Sequence, residues 1–554
     1  MKRSLFFLTV FTLLLSCKKN TSSPSEEIEN TVSTPFLWEA ANIYFLLTDR
    51  FNNGDSANDV NYYRVEETAV LRNFMGGDIK GITQKINEGY FTDLGINAIW
   101  FTPVVEQIHG PVDEGTGITY GYHGYWAKDW TVLDPNFGTM DDLETMVSAA
   151  HEKGIRVLLD VVANHTGPAT EIDPAWEENW VRTSPPCAFT TYENTTSCTL
   201  VANLPDILTN SEEEVDLPQQ LVQKWKKEDR YEEEVSELNA FFERTGYPKA
   251  PRYYLIKWLT DYVRVLGIDG FRVDTVKHTE EYVWASLYEQ ADFAFDQWKE
   301  AHPEKVLDDN HFFMVGEVYN YFISGGREFD FGDKKVDFFD YGFKSLINFD
   351  LKTDATNEYE QIFVKYDTLL NNELKGVSVL NYLTSHDDGS PFDPQRTKTY
   401  EAATKLLLTQ GASQVYYGDE IARPLIIEGT QGDATLRSFM NWEDLKTNEE
   451  TQQILAHYQK LGRFRNDHPS VGAGRHQMIS QTPYVFSRTL ELENYSDKVV
   501  IALDLALGEK EISIGNIFPD GTKLKDRYSG KIAIVKNDEI NIDTSFSILL
   551  LEIL

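Results

Sequence analysis

Acidic side chains follow several short apolar runs of this 554-residue sequence, and their types suit acid–base chemistry. Asp274 ends the segment GFRVD, Glu317 follows FFMVG, and Asp387 follows NYLTSH. Cleaving a glycosidic bond with retention needs a nucleophilic carboxylate and a second carboxyl that serves first as acid and then as base. Because the transition state is cationic at the sugar, a third anion would stabilise it. We therefore expect Asp274, Glu317 and Asp387 to form one catalytic centre.

Arg272 lies two residues before Asp274, so the two side chains share one face of a strand. A guanidinium at that distance would keep Asp274 ionised. Glu317, in contrast, must begin the reaction protonated, which requires a pKa raised by desolvation or by neighbouring anions. The sequence thus predicts unequal environments for the two carboxyl groups.

Eight short apolar runs alternate with helical patterns between about residues 40 and 420. Continuous apolar strands separated by helices indicate a parallel sheet that is covered on both faces. Eight such units predict an α/β fold, a (β/α)8 TIM barrel, whose active site lies at the carboxyl ends of the strands. The predicted strands are residues 43–47, 98–102, 157–162, 270–273, 312–316, 338–341, 377–383 and 414–417.

The gap between the third and fourth runs is too long for one crossover, so an inserted subdomain is expected over about residues 165–245, after strand 3. It includes a charged helical stretch at 224–237. The barrel with its insertion would cover residues 36–470. Alternating segments at 484–489, 498–503, 531–535 and 545–551 then predict a C-terminal antiparallel β domain over residues 471–554.

These segments resemble, in order along the chain, the signature regions of glycoside hydrolase family 13, the α-amylase family. DVVANH, which contains His165, resembles the first region, GFRVDTVKH the second, GEVYN the third and LTSHDD the fourth. NLPDI at residues 203–207 resembles the fifth region, and GYHGYW at 121–126 and VYYGDE at 415–420 are further family features. The likeness extends from about residue 42 to 469 and implies a retaining hydrolase of α-glucans.

The resemblance also implies a role for each matched residue. Asp274 would be the nucleophile, Glu317 the general acid/base, and Asp387 the carboxylate that grips sugar hydroxyls and favours the distorted ring. The residues expected around the cleaved sugar are His123, Tyr125, His165, Arg272 and His386. On the acceptor side, Lys277 and His278 would line the cleft.

One or two calcium sites are expected as structural cofactors. The segment DRFNNGDSAND at residues 49–59 concentrates oxygen ligands around a glycine, as calcium prefers, although an ordinary Asn/Asp/Gly turn remains an alternative. It resembles the N-terminal calcium loop of cyclodextrin glycosyltransferases, which implies the ligands Asn53, Asp55, Asn58, Asp59, the Gly76 carbonyl and Asp78. The calcium site shared across the family would use Asn164, Asp206 and the His278 carbonyl.

Family resemblance does not determine the α-glucan that is cleaved. An endo-acting α-amylase is the first choice, because NLPDI is typical of amylases and a cyclodextrin glycosyltransferase usually carries further C-terminal domains. A maltodextrin- or cyclodextrin-degrading or maltogenic hydrolase, or a transglycosylase, is the alternative. A catalytically inactive glycan-binding lipoprotein is a more distant one, and the three carboxylates argue against it.

The amino terminus has the pattern of an export signal. Lys2 and Arg3 precede an apolar run that is too short to span a bilayer as a mature helix. The run ends in LLSC, which resembles a bacterial lipoprotein signal over residues 1–17 with lipidation at Cys17; an ordinary signal peptide with an incidental cysteine is the alternative. Residues 18–35 are polar and predict a flexible tether. We therefore expect an exported lipoprotein anchored to a membrane, on the periplasmic or cell-surface side.

The net charge and the remaining cysteines bear on the binding partners and on a possible disulfide. Lys and Arg number 51 against 88 Asp and Glu, a net charge of −37, so the surface would be repelled by nucleic-acid phosphates. Apart from Cys17, the cysteines are Cys187 and Cys198, and export would allow a local disulfide between them. We expect a monomer whose partners are α-glucans and, through its lipid, a membrane.

Overall fold

The computed structural model describes residues 34–65 and 67–554 of the chain. The expected signal peptide, Cys17 and most of the tether lie outside the described residues. Within the described part, no helix has both the length and the apolar character that crossing a membrane would require.

Eight parallel strands close into a barrel, which confirms the predicted fold class. Around the barrel each strand pairs with its neighbours in chain order, and the last pairs with the first. The strands are β1 Asn42–Leu46, β2 Ala98–Phe101, β3 Arg156–Val161, β4 Gly270–Val273, β5 Phe313–Gly316, β6 Ser345–Asn348, β7 Ser378–Asn381 and β8 Ala412–Tyr416. Every residue of these eight strands is buried, as continuous apolar runs predict.

The prediction of the sixth strand was wrong. Residues 338–341 form a short 3-10 helix, Phe338–Tyr341, and the strand is Ser345–Asn348. The side chain of Asp337 accepts a hydrogen bond from the Phe339 N–H and so starts a helical turn there. Phe338 and Phe339 are buried by this turn, so their apolar character reports burial and does not distinguish a strand from a helix.

Helices cover the outside of the barrel, and their ends carry the expected capping residues. The longer ones are α1 Ile79–Asn87, α2 Met140–Glu152, α3 Gln219–Lys227, α4 Tyr231–Thr245, α5 Pro251–Leu266, α6 Glu281–Ala301, α7 Tyr359–Asn371, α8 Thr399–Leu408 and α9 Glu449–Asp467. Thr139 and Asp142 form a capping box at the start of α2. Gly246 and Gly267 end α4 and α5 in the left-handed conformation that glycine adopts most easily.

The long connection between β3 and β4 contains the expected insertion. It holds the two-stranded pair Val181–Arg182 and Asp206–Ile207, the short helix Glu193–Thr196, and α3 and α4. A disulfide joins Cys187 to Cys198 and closes a loop within it. This loop lies on the same side of the barrel as the carboxyl ends of the strands, because the Thr195 carbonyl is 3.1 Å from Nδ1 of His278.

The chain ends in an antiparallel β domain, as predicted. Its main sheet contains β9 Arg475–Gln481, β10 Tyr484–Leu492, β11 Tyr495–Leu503, β13 Lys523–Asp526, β14 Ile532–Ile534 and β16 Leu549–Ile553. A second pair is formed by β12 Gly508–Ser513 and β15 Glu539–Thr544. One face of the domain has its own apolar core, while other side chains of the sheet, such as Phe486 and Leu550, join the core of the barrel.

Candidate active site

The three predicted catalytic carboxylates line one cavity of about 620 Å³ at the carboxyl ends of the strands. Val273 of β4 pairs with Gly316 of β5, so Asp274 and Glu317 leave neighbouring strands at the same level. Asp387 enters the cavity from the loop after β7. The barrel thus brings together residues that are 43 to 113 positions apart in the sequence.

Arg272 is the cation that holds the carboxylates in place. Its Nη1 donates to Asp274 Oδ1 at 2.7 Å and to Asp160 Oδ1 at 2.9 Å, and its Nη2 lies 3.3 Å from Glu317 Oε2. Its side chain is only 1% exposed. A fully buried guanidinium is costly unless it is paired, and here it is paired with carboxylates from three strand ends. The prediction that Arg272 lies beside Asp274 is confirmed by this geometry.

Glu317 has the environment of a proton donor. Burial raises its pKa well above the usual range, the charges of Asp274 and Asp387 add to that effect, and Arg272 opposes it. The backbone N–H of Thr275 donates to Glu317 Oε2 at 3.0 Å, which fixes the carboxyl group next to Asp274. A carboxyl group in this setting remains protonated where an ordinary glutamate would be ionised.

Asp387 differs from the other two carboxylates because it is more open to solvent. Its side chain is 31% exposed, against 9% for Asp274 and 8% for Glu317. The Ser385 hydroxyl donates to Asp387 Oδ1 at 3.2 Å. This placement leaves Asp387 accessible to the hydroxyl groups of a ligand in the cavity.

The histidines of the cavity are kept neutral. Burial lowers the pKa of His123 and His386 well below the usual range and lowers that of His165. His123 accepts the Tyr125 N–H at Nδ1, 3.0 Å away, so its neutral ring carries a proton at Nε2. Neutral imidazoles of this kind can hydrogen-bond to sugar hydroxyls without adding charge.

Tyr125 lies between these histidines and the carboxylates. Its hydroxyl donates to Asp160 Oδ2 at 2.7 Å, and its ring stacks against His386 with centroids 5.3 Å apart. Trp100 donates to the same Asp160 oxygen at 2.9 Å. Asp160 therefore orients both Arg272 and Tyr125, although it does not line the cavity itself.

Lys277 and His278 line the same cavity as Glu317, and the resemblance predicts that both lie on its acceptor side. The Lys277 ammonium donates to the Tyr319 carbonyl at 3.0 Å, and burial lowers its pKa. Burial also lowers the pKa of His278 to about 4. Its Nδ1 faces the Thr195 carbonyl, so the ring donates there and is held by the disulfide-closed loop.

Several lining residues were not predicted. Glu114, Asp433 and Arg437 form a charged group at the wall of the cavity, and Phe189 and Tyr319 are aromatic residues that line it. Arg437 pairs with Asp433 and donates from Nε to the His386 carbonyl at 2.9 Å. Because these residues come from loops that meet only in the folded chain, no local pattern identified them.

The residues expected at the family's shared calcium site meet in the structure. The Asn164 amide Nδ2 lies 2.7 Å from Asp206 Oδ1 and 3.1 Å from the His278 carbonyl oxygen. His165 donates from Nε2 to the Tyr125 carbonyl, which leaves its Nδ1 as an acceptor. This Nδ1 lies 3.3 Å from the Asn164 Oδ1, so two acceptors face each other. Rotating the amide by 180° would satisfy Nδ1 and would turn a third oxygen toward Asp206 and His278.

With the Asn164 amide rotated in this way, three oxygens would face one another and suit a hard cation, so the residues of the shared site fit calcium. Burial raises the pKa of Asp206 to about 8, and its Oδ2 has no hydrogen bond, although Arg182 Nε lies 2.8 Å away. A calcium ion there would therefore share Asp206 with a guanidinium.

The N-terminal loop fits calcium only in part. Gly76 packs directly against Asn53 and Asp59, and Asn58 has a buried Oδ1 without a partner. Two other expected ligands are already engaged: Asp78 accepts the N–H groups of Gly54, Asp55 and Gly81, and Asp55 pairs with Lys80 at 2.7 Å. Among residues 34–65 and 67–554, no cluster of three or more His, Cys, Asp or Glu side chains has the geometry of a metal site.

Comparisons with known proteins agree with this geometry. A family model described as "Alpha amylase, catalytic domain" matches residues 45–469. The periplasmic α-amylase of Escherichia coli (strain K12) is 36% identical over 538 residues, which cover 86% of this chain and 74% of the relative.

Cyclomaltodextrin glucanotransferases are also similar. That of Geobacillus stearothermophilus is 28% identical over 500 residues, and the match covers 87% of this chain but only 62% of the longer relative. The crystal structure of CldA, described as a cyclomaltodextrin glucanotransferase with a three-domain ABC distribution, superimposes with a TM-score of 0.62 at 21% identity, covering 93% of this chain and 99% of the other. At that identity the likeness concerns the fold.

Proposed function

The chain belongs to the α-amylase family of glycoside hydrolases, and we propose that it is a retaining, endo-acting α-amylase that hydrolyses internal α-1,4-glucosidic bonds of starch and maltodextrins. The observation that carries the proposal is the placement of Arg272, which contacts both Asp274 and Glu317 in a cavity that Asp387 also lines. Retaining hydrolysis uses two carboxyl groups that lie close together, and the contact of both groups with one guanidinium supports that pairing.

The two steps follow from the environments of these groups. Asp274, which accepts a hydrogen bond from Arg272, attacks the anomeric carbon while Glu317 donates its proton to the departing glycosidic oxygen. The deprotonated Glu317 then removes a proton from water, whose oxygen bonds to the anomeric carbon as the bond to Asp274 breaks. Asp387 holds sugar hydroxyls and favours the distorted ring.

Neutral groups position the sugar that is cleaved. Tyr125 presents its ring to the cavity while its hydroxyl is fixed by Asp160, and His123, His165 and His386 supply uncharged hydrogen bonds. Since their pKa values lie below the usual range, these histidines remain neutral where Glu317 works. The pH dependence of activity would then come from the carboxyl groups.

The test uses Glu317→Gln and Asp274→Asn on soluble starch. Glu317→Gln removes the acid/base and Asp274→Asn removes the nucleophile. We expect kcat to fall by several orders of magnitude in each variant, while the melting temperature changes little. Binding of maltoheptaose to Glu317→Gln, measured by calorimetry, separates lost chemistry from lost binding. Hydrolysis at the wild-type rate by either variant would contradict the mechanism, and a wild-type protein that binds glucans without cleaving them would favour a catalytically inactive lipoprotein.

A maltogenic or cyclodextrin-degrading hydrolase, or a transglycosylase of the same family, is the second candidate. Two observations favour it: the similarity to cyclomaltodextrin glucanotransferases, and the three-domain CldA structure, which removes domain number as an argument against them. Product analysis over time on amylose, pullulan and β-cyclodextrin decides. A broad early range of oligosaccharides supports the endo-amylase, whereas maltose alone, cyclic products or rapid opening of β-cyclodextrin supports the second candidate.

We further propose that calcium binds at the shared site, held by Asn164, Asp206 and the His278 carbonyl, where it would tie the insertion to the barrel. Asn53, Asn58, Asp59 and Gly76 support a second, weaker site. Chelation should lower the melting temperature by several degrees, and calcium should restore it. Asp206→Ala should abolish that response, whereas Asp55→Ala should leave most of it, because Asp55 pairs with Lys80.

Export, anchoring at Cys17 and a monomeric state complete the proposal. The sequence pattern at residues 1–17 supports a lipoprotein signal, and the disulfide between Cys187 and Cys198 suits an oxidising compartment. Metabolic labelling with a radioactive fatty acid should mark the wild-type protein and not Cys17→Ala. Labelling of both, or of neither, would contradict anchoring at Cys17.

A further inference from the structure

A second cavity, larger than the catalytic one, lies between the barrel and the C-terminal β domain. It has a volume of about 710 Å³ and is lined by residues of α7, α8 and α9 on one side and by residues of the C-terminal domain on the other. We call it the junction groove. It shares no lining residue with the catalytic cavity, so the mechanism described above gives it no role.

The barrel side of the junction groove lies toward the end of the barrel that carries the catalytic cavity. Tyr359 and Tyr400 line the groove from the first turns of α7 and α8, which follow β6 and β7. The helices of a (β/α)8 barrel run back from the carboxyl ends of the strands, so their first turns lie at that end. A polymer bound in the groove is therefore at the same end of the barrel as the catalytic carboxylates.

The groove presents aromatic rings from both domains. Tyr400 of α8 is 43% exposed, and Phe546, which lies between β15 and β16, is 36% exposed. The Lys460 ammonium lies 4.4 Å from the ring centroids of both Phe546 and Tyr528, and these two rings meet edge to face at 5.1 Å. Such contacts hold the Phe546 ring in place while leaving it open to a ligand. A ring that is already fixed loses little freedom when a ligand stacks on it.

Polar side chains surround these rings. Asp504, Ser545 and Ser547 line the groove from loops of the C-terminal domain, and all three are exposed. Asp504 has a φ of +55°, a left-handed conformation that non-glycine residues rarely adopt. A carboxylate and two hydroxyl groups next to an aromatic ring can bind the hydroxyl groups of a ligand whose apolar face lies on the ring.

The charges in the groove nearly balance. Its ionised side chains are the carboxylates of Glu358, Glu401 and Asp504 and the ammonium groups of Lys405 and Lys460. Lys405 pairs with Glu401 at 2.6 Å. In a chain with a net charge of −37, a lining this close to neutral suits an uncharged ligand better than a polycation or a polyanion. Sugars combine the missing charge with hydroxyl groups and apolar C–H faces.

We propose that the junction groove is a second α-glucan-binding site, which holds a long substrate chain while another part of that chain occupies the catalytic cavity. This inference rests on the proposed function for the identity of the polymer. Tyr400 and Phe546 stack on glucosyl units, and Asp504 binds their hydroxyl groups. Because the rings come from both domains, the C-terminal domain takes part in substrate binding. A chain held at two places dissociates more slowly, so the groove matters for polymers and not for short substrates.

The first test measures adsorption to starch granules, in the Glu317→Gln background so that the granule is not cleaved. Replacing both rings in Tyr400→Ala/Phe546→Ala should raise the dissociation constant about tenfold. Both positions are partly exposed, so the melting temperature should change little. The conservative variant Tyr400→Phe/Phe546→Tyr keeps both rings and should adsorb like its parent.

The second test measures activity with Glu317 intact. We expect kcat/KM on granular starch to fall severalfold in Tyr400→Ala/Phe546→Ala, while kcat/KM for α-maltosyl fluoride, which is too short to occupy both sites, stays within about twofold. Tyr282 and Phe293 of α6, which are 42% and 43% exposed, give a matched control. Tyr282→Ala/Phe293→Ala should change neither adsorption nor rate.

Three outcomes would overturn the proposal: unchanged adsorption in Tyr400→Ala/Phe546→Ala, an equal loss of adsorption in the α6 control, or equal losses of activity on granular starch and α-maltosyl fluoride, which indicate a structural role. Failure of the proposed function gives a different result. A wild-type protein that cleaves neither substrate, yet adsorbs to starch through Tyr400 and Phe546, would refute the hydrolase and support the groove as a glucan-binding site.

Discussion

The catalytic cavity keeps its buried histidines neutral, whereas the junction between the barrel and the C-terminal domain holds one largely buried histidine, His468, in the charged state. In the cavity, burial lowers the pKa of His123 and His386, and Arg272 carries the positive charge. At the junction, His468 follows the end of α9 with Nδ1 2.9 Å from Asp497 and Nε2 2.8 Å from Glu552. Burial disfavours its charge, yet the two hydrogen-bonded carboxylates raise its pKa to about 9.

The difference shows that burial alone does not decide the charge of a histidine; its partners do. In the cavity the carboxylates are paired with a guanidinium that cannot lose its proton, so the histidines remain free to bind a neutral sugar. At the junction each nitrogen of His468 faces a carboxylate from the C-terminal sheet, so the ring acts as a largely buried cation that joins two domains.

Replacing the cation of the cavity should have the largest effect. Arg272→Met leaves Asp160, Asp274 and Glu317 buried without a positive partner, and we expect kcat/KM on starch to fall at least about 10³-fold. The free energy of unfolding should fall by about 3–5 kcal/mol, as when one partner of a buried ion pair is removed. Urea denaturation and initial rates measure the two effects.

Arg272→Lys is the matched variant, because it keeps the charge but cannot contact three carboxylates at once. It should recover most of the stability and little of the activity. If Arg272→Met were as stable as the wild type, the buried carboxylates would not need the guanidinium to compensate their charge. Arg272 would then not be the cation that balances the cavity as His468 balances the junction.

Much of this site could be predicted from the sequence, since the strand ends carry it. Asp274 and Glu317 each directly follow an apolar run that forms a barrel strand, and parallel strands bring their carboxyl ends to one place. Seven of the eight predicted strands overlap the observed ones; the sixth failed because a buried 3-10 turn and a strand are equally apolar at Phe338 and Phe339.

The remaining part of the cavity depends on contacts between distant loops. Arg437 reaches the site through a hydrogen bond to His386, 51 residues away, and Phe189 reaches it because Asn194 and a disulfide shape the tip of the insertion. Neither Arg437 nor Phe189 lies in a segment of periodic hydrophobicity or at the end of a predicted strand, so no sequence pattern indicates its role. The charge of His468 could not be predicted either, because its partners Asp497 and Glu552 belong to a domain whose packing against the barrel the sequence does not specify.

His468→Gln should have the next largest effect, and it should depend on pH. Because the pKa of His468 is raised above its unfolded value, its contribution is complete below about pH 6.5 and is lost as pH rises through about 9. We expect the variant to lose on the order of 2–3 kcal/mol of unfolding free energy at pH 6 and much less at pH 10. Urea denaturation of both proteins at each pH gives the difference.

His457, which lies on α9, provides the control. It is also buried at the junction, but burial lowers its pKa to about 4, and its Nδ1 contacts the Tyr528 hydroxyl at 2.7 Å. His457→Gln should therefore cost slightly less at pH 6 than at pH 10, because the unfolded histidine gains a proton near pH 6.5 while the folded one stays neutral until about pH 4. A loss in His457→Gln that grows toward pH 6, or a constant one in His468→Gln, would contradict the assignment of charge.

The smallest effect is expected at an exposed ion pair of the same junction. Arg475 contacts Asp367 through Nε at 3.0 Å and Nη2 at 2.9 Å, but its side chain is 66% exposed. Water screens such a pair, so Arg475→Ala should cost less than about 1 kcal/mol, and the loss should shrink further in 0.5 M salt. Asp367 would still accept the His476 N–H and the Gln410 amide. If Arg475→Ala lost as much unfolding free energy as His468→Gln, an ion pair with good geometry would stabilise this junction even when it is exposed. The strong contribution of His468 would then not depend on its burial.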